Sequence, residues 1–300
     1  MKNLKLFVLA LAAVLCLPAM LLARDIPAVV STGWLEKNLA NPDLKVIDIR
    51  KLEEYKAGHI PGAINVFYGT WSVKTPDFDN ELPADDDLLD IVNGAGLTPK
   101  SLIVVAGKVD NPTEQANNTR VAWTLRYAGF GNVAFLDGGY NQWTAEKKPL
   151  STDAVAVKAA DNKHAFVKQI KADKEQVLAK REKATLVDAR LPEFFFGTAK
   201  LPFVERPGRI KGAVNLPTAW LFTKEGTLRP ADEIKAMANG VVGTDTGREI
   251  VVYCDTGRLA SAWWFVLSEM LGYQNVSMYD GSSQEFSRDA RFPLEKFTWK

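Results

Sequence analysis

Residues 249–273 read EIVVYCDTGRLASAWWFVLSEMLGY, an apolar run, a tight turn and a helix-forming stretch in direct succession. Ile250-Val251-Val252-Tyr253 is short, β-branched and apolar without alternation, the pattern of a strand buried on both faces of a parallel sheet. Asp255-Thr256-Gly257 supplies turn residues, and Ala262 to Leu271 is helical in composition. A strand running through a glycine turn into a helix is half of a βαβ unit. In sheets built from such units, ligands sit beyond the carboxyl ends of the strands. Cys254 occupies that place.

Working outward, the chain carries the same blocks twice. Val46-Ile47-Asp48-Ile49-Arg50, Glu54-Tyr55 and GHIPGAINV at 58–66 return as Leu186-Val187-Asp188-Ala189-Arg190, Phe194-Phe195 and GRIKGAVNL at 208–216. Leu102 to Val105, YAGF at 127–130, Val133, Asp137-Gly138 and Trp143 correspond to Ile250 to Tyr253, MLGY at 270–273, Val276, Asp280-Gly281 and Phe286. An ordered recurrence of this kind is the signature of a duplicated unit. Strands are predicted at 46–49, 102–105, 186–189 and 250–253, and helices at 85–93, 118–128, 173–182, 231–238 and 258–271. The expected fold class is α/β: two copies of one domain, each an open, mostly parallel sheet with helices on both faces. The expected domains are 24–152 and 153–300, joined by the polar, Ala- and Lys-rich stretch around 150–165.

The 300 residues are 47% hydrophobic and 24% charged, an ordinary globular composition long enough for two cores. A net charge of +1 without long runs of one sign gives no reason to expect nucleic acid. The N-terminus differs from the rest. Lys2 and Lys5 precede an apolar run from Leu6 to Leu22, then Ala23 meets Arg24-Asp25, which describes a secretory signal peptide over residues 1–23. The run is short for a membrane span and contains Pro18, so cleavage, a periplasmic or secreted location and no lasting membrane insertion are expected. Leu15 before Cys16 argues against a lipoprotein site. Cleavage leaves Cys254 as the single thiol, with no internal disulfide to form.

A lone exported thiol is either buried and inert or reactive. A strand-to-helix turn aims backbone N–H groups inward, and a helix N-terminus adds positive partial charge. Both favour an anionic sulfur, so a lowered thiol pKa is expected, with Arg258 helping and Asp255 opposing.

The Asp-x-Arg strands, the block at 58–65 with its variant at 208–215, the Cys-x-x-Gly loop at 254–257 and LGYQNV at 271–276 together resemble the rhodanese family. The two-domain layout is similar to thiosulfate and 3-mercaptopyruvate sulfurtransferases. The resemblance implies that Cys254 is a nucleophile that takes a sulfane sulfur from a small donor, becomes a persulfide, and passes the sulfur to cyanide or a thiol. An exported acceptor protein is a further possible partner. It implies a cradle from the backbone of Asp255, Thr256, Gly257, Arg258 and Leu259, with Arg190 and Arg258 as substrate-binding candidates and no metal or organic cofactor. His59 and His164 have no partners suggesting zinc, and His59 reads as structural. The first copy has Ala106-Gly107-Lys108-Val109 in place of the cysteine loop, so its expected role is to brace the second and wall the cleft.

The chain also departs from that pattern. Two-domain thiosulfate enzymes carry basic residues after the loop cysteine and an arginine after the Asp-x-Arg strand. Here stand Asp255-Thr256 and Glu193-Phe194-Phe195-Phe196. Each lost charge-assisted hydrogen bond costs about 1.5–3 kcal/mol of affinity for a dianion, and Arg190, Arg206, Arg209 and Arg258 are the candidates to compensate. The aromatic residues Phe194, Phe195, Phe196, Trp220 and Phe222 point either to an apolar pocket or to ordinary core. Two rival readings stand beside sulfur transfer. A Cdc25-like phosphatase or arsenate reductase is disfavoured, because its loop ends in an arginine later than Arg258. A non-enzymatic sulfur or redox carrier, or a binding module, stays open.

Overall fold

The computed structural model describes residues 24–163 and 165–298. The expected signal peptide at 1–23, Cys16 and His164 lie outside the described residues.

The first domain holds β1 (Val29–Val30), β2 (Leu44–Asp48), β3 (Ile64–Asn65), β4 (Leu102–Ala106) and β5 (Val133–Leu136). The second holds β6 (Lys171–Ala172), β7 (Thr185–Asp188), β8 (Arg209–Ile210), β9 (Val214–Asn215), β10 (Glu249–Tyr253), β11 (Asn275–Tyr279) and β12 (Leu294–Glu295). The two main sheets run β1-β5-β4-β2-β3 and β6-β11-β10-β7-β9, the same order twice, and β8 and β12 form a separate antiparallel pair. Every pairing in the main sheets is parallel. Register then fixes equivalence. Ala106 pairs with Asp48 and Tyr253 with Asp188, so Gly107 stands where the second domain has Cys254.

Successive residues of a strand point to opposite faces, and each face of these sheets has its own core. In the first domain Ile103, Val105, Val133 and Phe135 face one cluster, while Leu44, Val46, Val104, Ala134 and Leu136 face another under Leu35, Tyr55 and Trp143. In the second, Val187, Ile250, Val252 and Met278 face one way, and Leu186, Val251, Tyr253 and Tyr279 the other. The inner faces of the two domains merge into one cluster, with Phe135 and Phe265 in edge contact at 5.4 Å. The two copies therefore share a continuous apolar core.

The helix expected over 118–128 spans Pro112–Tyr127. Asn111 caps it by accepting from the Glu114 N–H, and Pro112 fills its first turn, start signals that the polar run 113–118 masks. Gln115, Asn118, Thr119, Arg120 and Thr124 on it are all buried, because it lies between the two sheets rather than on the surface. The helix expected over 258–271 is Ala260–Phe265 continued by a π-helical turn at Val266–Met270.

The repeated Asp-x-Arg blocks are twin clamps. Arg50 donates to Asp48 and to the Gly58 carbonyl, and Arg190 does the same with Asp188 and Gly208. Arg50 and Gly58 are eight residues apart, whereas Arg190 and Gly208 are eighteen apart, so the second copy carries an insertion at this point. Residues 152–163 and 165–167 form no regular element; Asn162 ties this connection to Asn93 and the Leu97 carbonyl. Among the described residues no helix is long and apolar enough to cross a membrane.

Candidate active site between the domains

Cys254 follows β10 directly and is 1% exposed. It lies at the floor of a cleft of about 460 Å³. The second domain lines it with Asp255, Thr256, Arg258, Leu259, Leu201 and Phe203. The first domain contributes Ser72, Lys74, Asp79, Asn80 and Thr113. Leu201 and Phe203 belong to the insertion after Arg190, which lays an apolar wall over the sulfur. Arg206 holds that insertion down, donating to the main-chain oxygens of Phe286, Ser287, Asp289 and Phe292.

Backbone N–H groups of Ala260, Thr256 and Leu259 donate to the Cys254 sulfur. Thr256 and Leu259 are two of the five positions expected in the cradle, and Ala260 contributes as well. Gly257 does not. Its N–H turns away to Ser282 Oγ at 3.1 Å, the same oxygen that accepts the Cys254 N–H at 3.1 Å. Gly257 is required for space and conformation instead. Its φ is +73°, and a Cβ there would lie 2.4 Å from Asp280 Oδ1 and 2.7 Å from Arg120 Nη1.

The thiol pKa departs from expectation. Burial pushes it above its usual value, the Asp255 carboxylate adds to that, and the three N–H groups offset only part of the rise. The reason is visible in the loop. The sulfur sits deep, and the charge that acts on it most strongly is that of an acid, Asp255. Burial pushes the Asp255 carboxyl above its usual value, while Arg190 Nη1 at 3.5 Å and the Ser283 Oγ that donates to it at 2.7 Å favour its anion and fix it beside the sulfur.

Of the four candidate arginines, only Arg258 lines the cleft. Arg190, expected to bind substrate, is 2% exposed and occupied by Asp188, Gly208 and Asp255. The identical clamp at Arg50, where there is no nucleophile, marks this arginine as structural, reaching the site only through Asp255. Arg209 pairs with Glu295 and stacks on Phe195. The aromatic group Phe194 to Phe196, Trp220 and Phe222 contributes nothing to the cleft. Phe195 and Phe222 are core, while Phe196 and Trp220 are exposed. His59 is buried against Tyr55 at 3.9 Å, its Nδ1 bonded to the Tyr55 carbonyl, a structural role.

Sequence reading missed the residues beneath the loop. Arg120 reaches from the first domain to Asp280 Oδ1 at 2.5 Å and to the Asn80 carbonyl at 2.9 Å, directly behind Gly257. Beside this pair, Glu81 is pushed from 4.5 to about 7, chiefly by burial and then by Asp280; Glu285 acts in the same direction, and Lys171 and Arg120 oppose. A carboxyl held above its ordinary value keeps in the fold a proton that the unfolded chain releases. It therefore opposes folding increasingly as pH rises from 4.5 to about 7, with no further loss above. Melting temperatures at about pH 5 and about pH 8 should differ less in Glu81→Gln than in the parent; parallel profiles would remove Glu81 from this role.

Comparison with known proteins agrees with this architecture. Residues 31–146 and 171–289 each match the rhodanese-like domain. A protein of Mycobacterium leprae named "Putative thiosulfate sulfurtransferase" is 31% identical over 290 residues, covering 89% of this chain and 96% of its own length. The "Sulfur carrier protein TtuD" of Thermus thermophilus is 29% identical with the same coverage. Among solved structures, YnjE superposes with a TM-score of 0.78 at 26% identity, covering 91% of this chain and 69% of its own. An anaerobic ergothioneine biosynthesis enzyme from Chlorobium limicola shares the fold at 22% identity, TM-score 0.77, covering 90% and 70%. With two matched copies around one cysteine loop, the chain belongs to the rhodanese-like family.

Proposed function

We propose that the chain is a sulfurtransferase working through a persulfide on Cys254. The observation that carries this reading is the sulfur itself, at the floor of an interdomain cleft with three backbone N–H groups donating to it. In the first half-reaction the Cys254 thiolate attacks the transferable sulfur of a donor, the outer sulfur of thiosulfate with sulfite as leaving group or the thiol sulfur of 3-mercaptopyruvate with the enolate of pyruvate as leaving group. The new S–S bond forms as the donor's bond to that sulfur breaks, and the leaving group departs with the electron pair. In the second, cyanide or a thiol attacks the outer sulfur and the Cys254 thiolate leaves. No outside oxidant is needed. The N–H groups stabilise negative charge on sulfur in both steps. Because the resting thiol is pushed up, their main contribution falls on the charge of the transferred sulfur.

Arg258 and Lys74 are the cations of the cleft, set against the carboxylates of Asp255 and Asp79. That balance offers a dianion little net attraction, so the donor is proposed by class rather than singly. The leader-like residues 1–23 support export as the setting.

The test is intact-protein mass spectrometry of reduced protein after exposure to thiosulfate, 3-mercaptopyruvate and organic persulfides. Gain of one sulfur on Cys254, removable by cyanide or thiol, is expected. No adduct with any donor would end the proposal. The relative named as a sulfur carrier supports a second reading, transfer to a protein acceptor. A stable persulfide with slow turnover on small acceptors would favour it.

A further inference from the structure

We infer that Asn80 of the cysteine-less first domain is a positioning residue for the reactive loop, setting both the peptide that shapes the sulfur cradle and the direction of Arg258. The inference rests on Cys254 being the reacting sulfur.

Asn80 is 5% exposed and sits in the strap 72–82, whose ends are held together by the Val73–Glu81 bridge. Its Nδ2 donates to the Thr256 carbonyl at 2.8 Å, and its Oδ1 accepts from Arg258 Nε at 3.2 Å. The Tyr68 and Ser72 hydroxyls also donate to Oδ1. Arg258 Nε has no acceptor capacity and a carbonyl oxygen no donor, so the amide has one consistent orientation. Its main-chain oxygen meanwhile accepts from Arg120. One residue thus joins the strap, the buried ion pair and the loop.

The peptide between Thr256 and Gly257 is held at both ends. Asn80 holds its carbonyl from the first domain, and Ser282 Oγ holds its N–H from the second. Among the described residues only three non-glycine positions have positive φ, and two of them are these pins, Asn80 at +66° and Ser282 at +50°. Such conformations cost energy and persist where the surroundings over-determine them. Asparagine tolerates the left-handed region better than most residues, which suits it to a strained position that must also present an amide. The Thr256 N–H that reaches the sulfur is one peptide back from the pinned unit, so freeing the pin loosens that donor. Arg258 is held from the same side, with its guanidinium 5.0 Å from the centre of the Tyr68 ring. The first domain therefore contributes to the active site by holding the loop.

The experiment follows the pH dependence of Cys254 alkylation by iodoacetamide, with melting temperature and donor kinetics, in Asn80→Gly and Asn80→Asp. Glycine accepts the backbone conformation while removing both contacts. Aspartate keeps an acceptor for Arg258 but places an oxygen against the Thr256 carbonyl. Both variants should alkylate about tenfold more slowly near neutral pH, with the midpoint moved up by about one pH unit. Asn80→Gly should also raise KM for anionic donors, through the freed Arg258. A merely structural role would lower the melting temperature and leave the alkylation midpoint alone. A folded Asn80→Gly or Asn80→Asp with the parent's midpoint and kinetics overturns the inference. Alkylation needs no sulfur donor, so failure of persulfide formation in the parent would defeat the sulfur-transfer reading separately.

Discussion

Cys254→Ala is expected to lose sulfur transfer by at least ~1,000-fold, about 4 kcal/mol in the barrier, while remaining folded. No other described residue supplies a thiol, and the equivalent position in the first domain is Gly107. That copy offers no latent substitute, since a side chain at Gly107 would press within 2.6 Å of Ile49 and 2.9 Å of Asn118. The stability cost is small. Removing one buried sulfur atom leaves only a small void, worth about 1 kcal/mol at most. The loop keeps its shape, because Asn80 and Ser282 hold it through backbone atoms rather than through the sulfur. Steady-state transfer assays with a thermal melt check both halves. Transfer at the parent's rate in a correctly folded Cys254→Ala would place the nucleophile elsewhere.

Arg120→Met is expected to be the most damaging substitution for stability. Arg120 is fully buried, and its partner Asp280 is 2% exposed. Removing the cation leaves the Asp280 carboxylate buried, with the Leu82 N–H at 3.2 Å as its remaining hydrogen-bond donor. Breaking a buried pair from one side costs about 3–5 kcal/mol, which for a chain of this size lowers the melting temperature by about 10 °C. The damage falls at the joint between the domains, because the pair spans them and supports Gly257 from behind. The double variant Arg120→Met/Asp280→Asn removes both charges and should recover part of the loss. If the single variant melts within about 2 °C of the parent, the pair is not what fastens the loop.

The architecture was legible because it is written in short-range patterns. Unalternating Val and Ile runs marked the central strands, and the ordered return of Asp-x-Arg, the Gly-x-x-x-Gly-Ala block and the Asp-Gly turn marked a duplication. The position of Cys254 between strand and helix also follows from neighbouring residues alone. Helix starts were less legible where capping signals precede a polar run, as at Asn111-Pro112. The arginines were hardest to assign. Arg190, Arg206, Arg209 and Arg258 look alike as letters, yet two hold backbone carbonyls, one stacks on an aromatic ring, and one faces the cleft.

By itself, the sequence determined that there are two parallel α/β units and that the only thiol in the second sits at a strand end. Periodicity and turn chemistry are local and survive without knowledge of contacts. Tertiary structure alone decided which way the pKa of that thiol is pushed and what supports it. Asn80, Arg120 and Lys74 come from the other domain, and Ser282 from the turn after the neighbouring strand β11. Burial and fixed charge act through space at a few ångströms, so their balance at Cys254 depended on how the chain closes on itself.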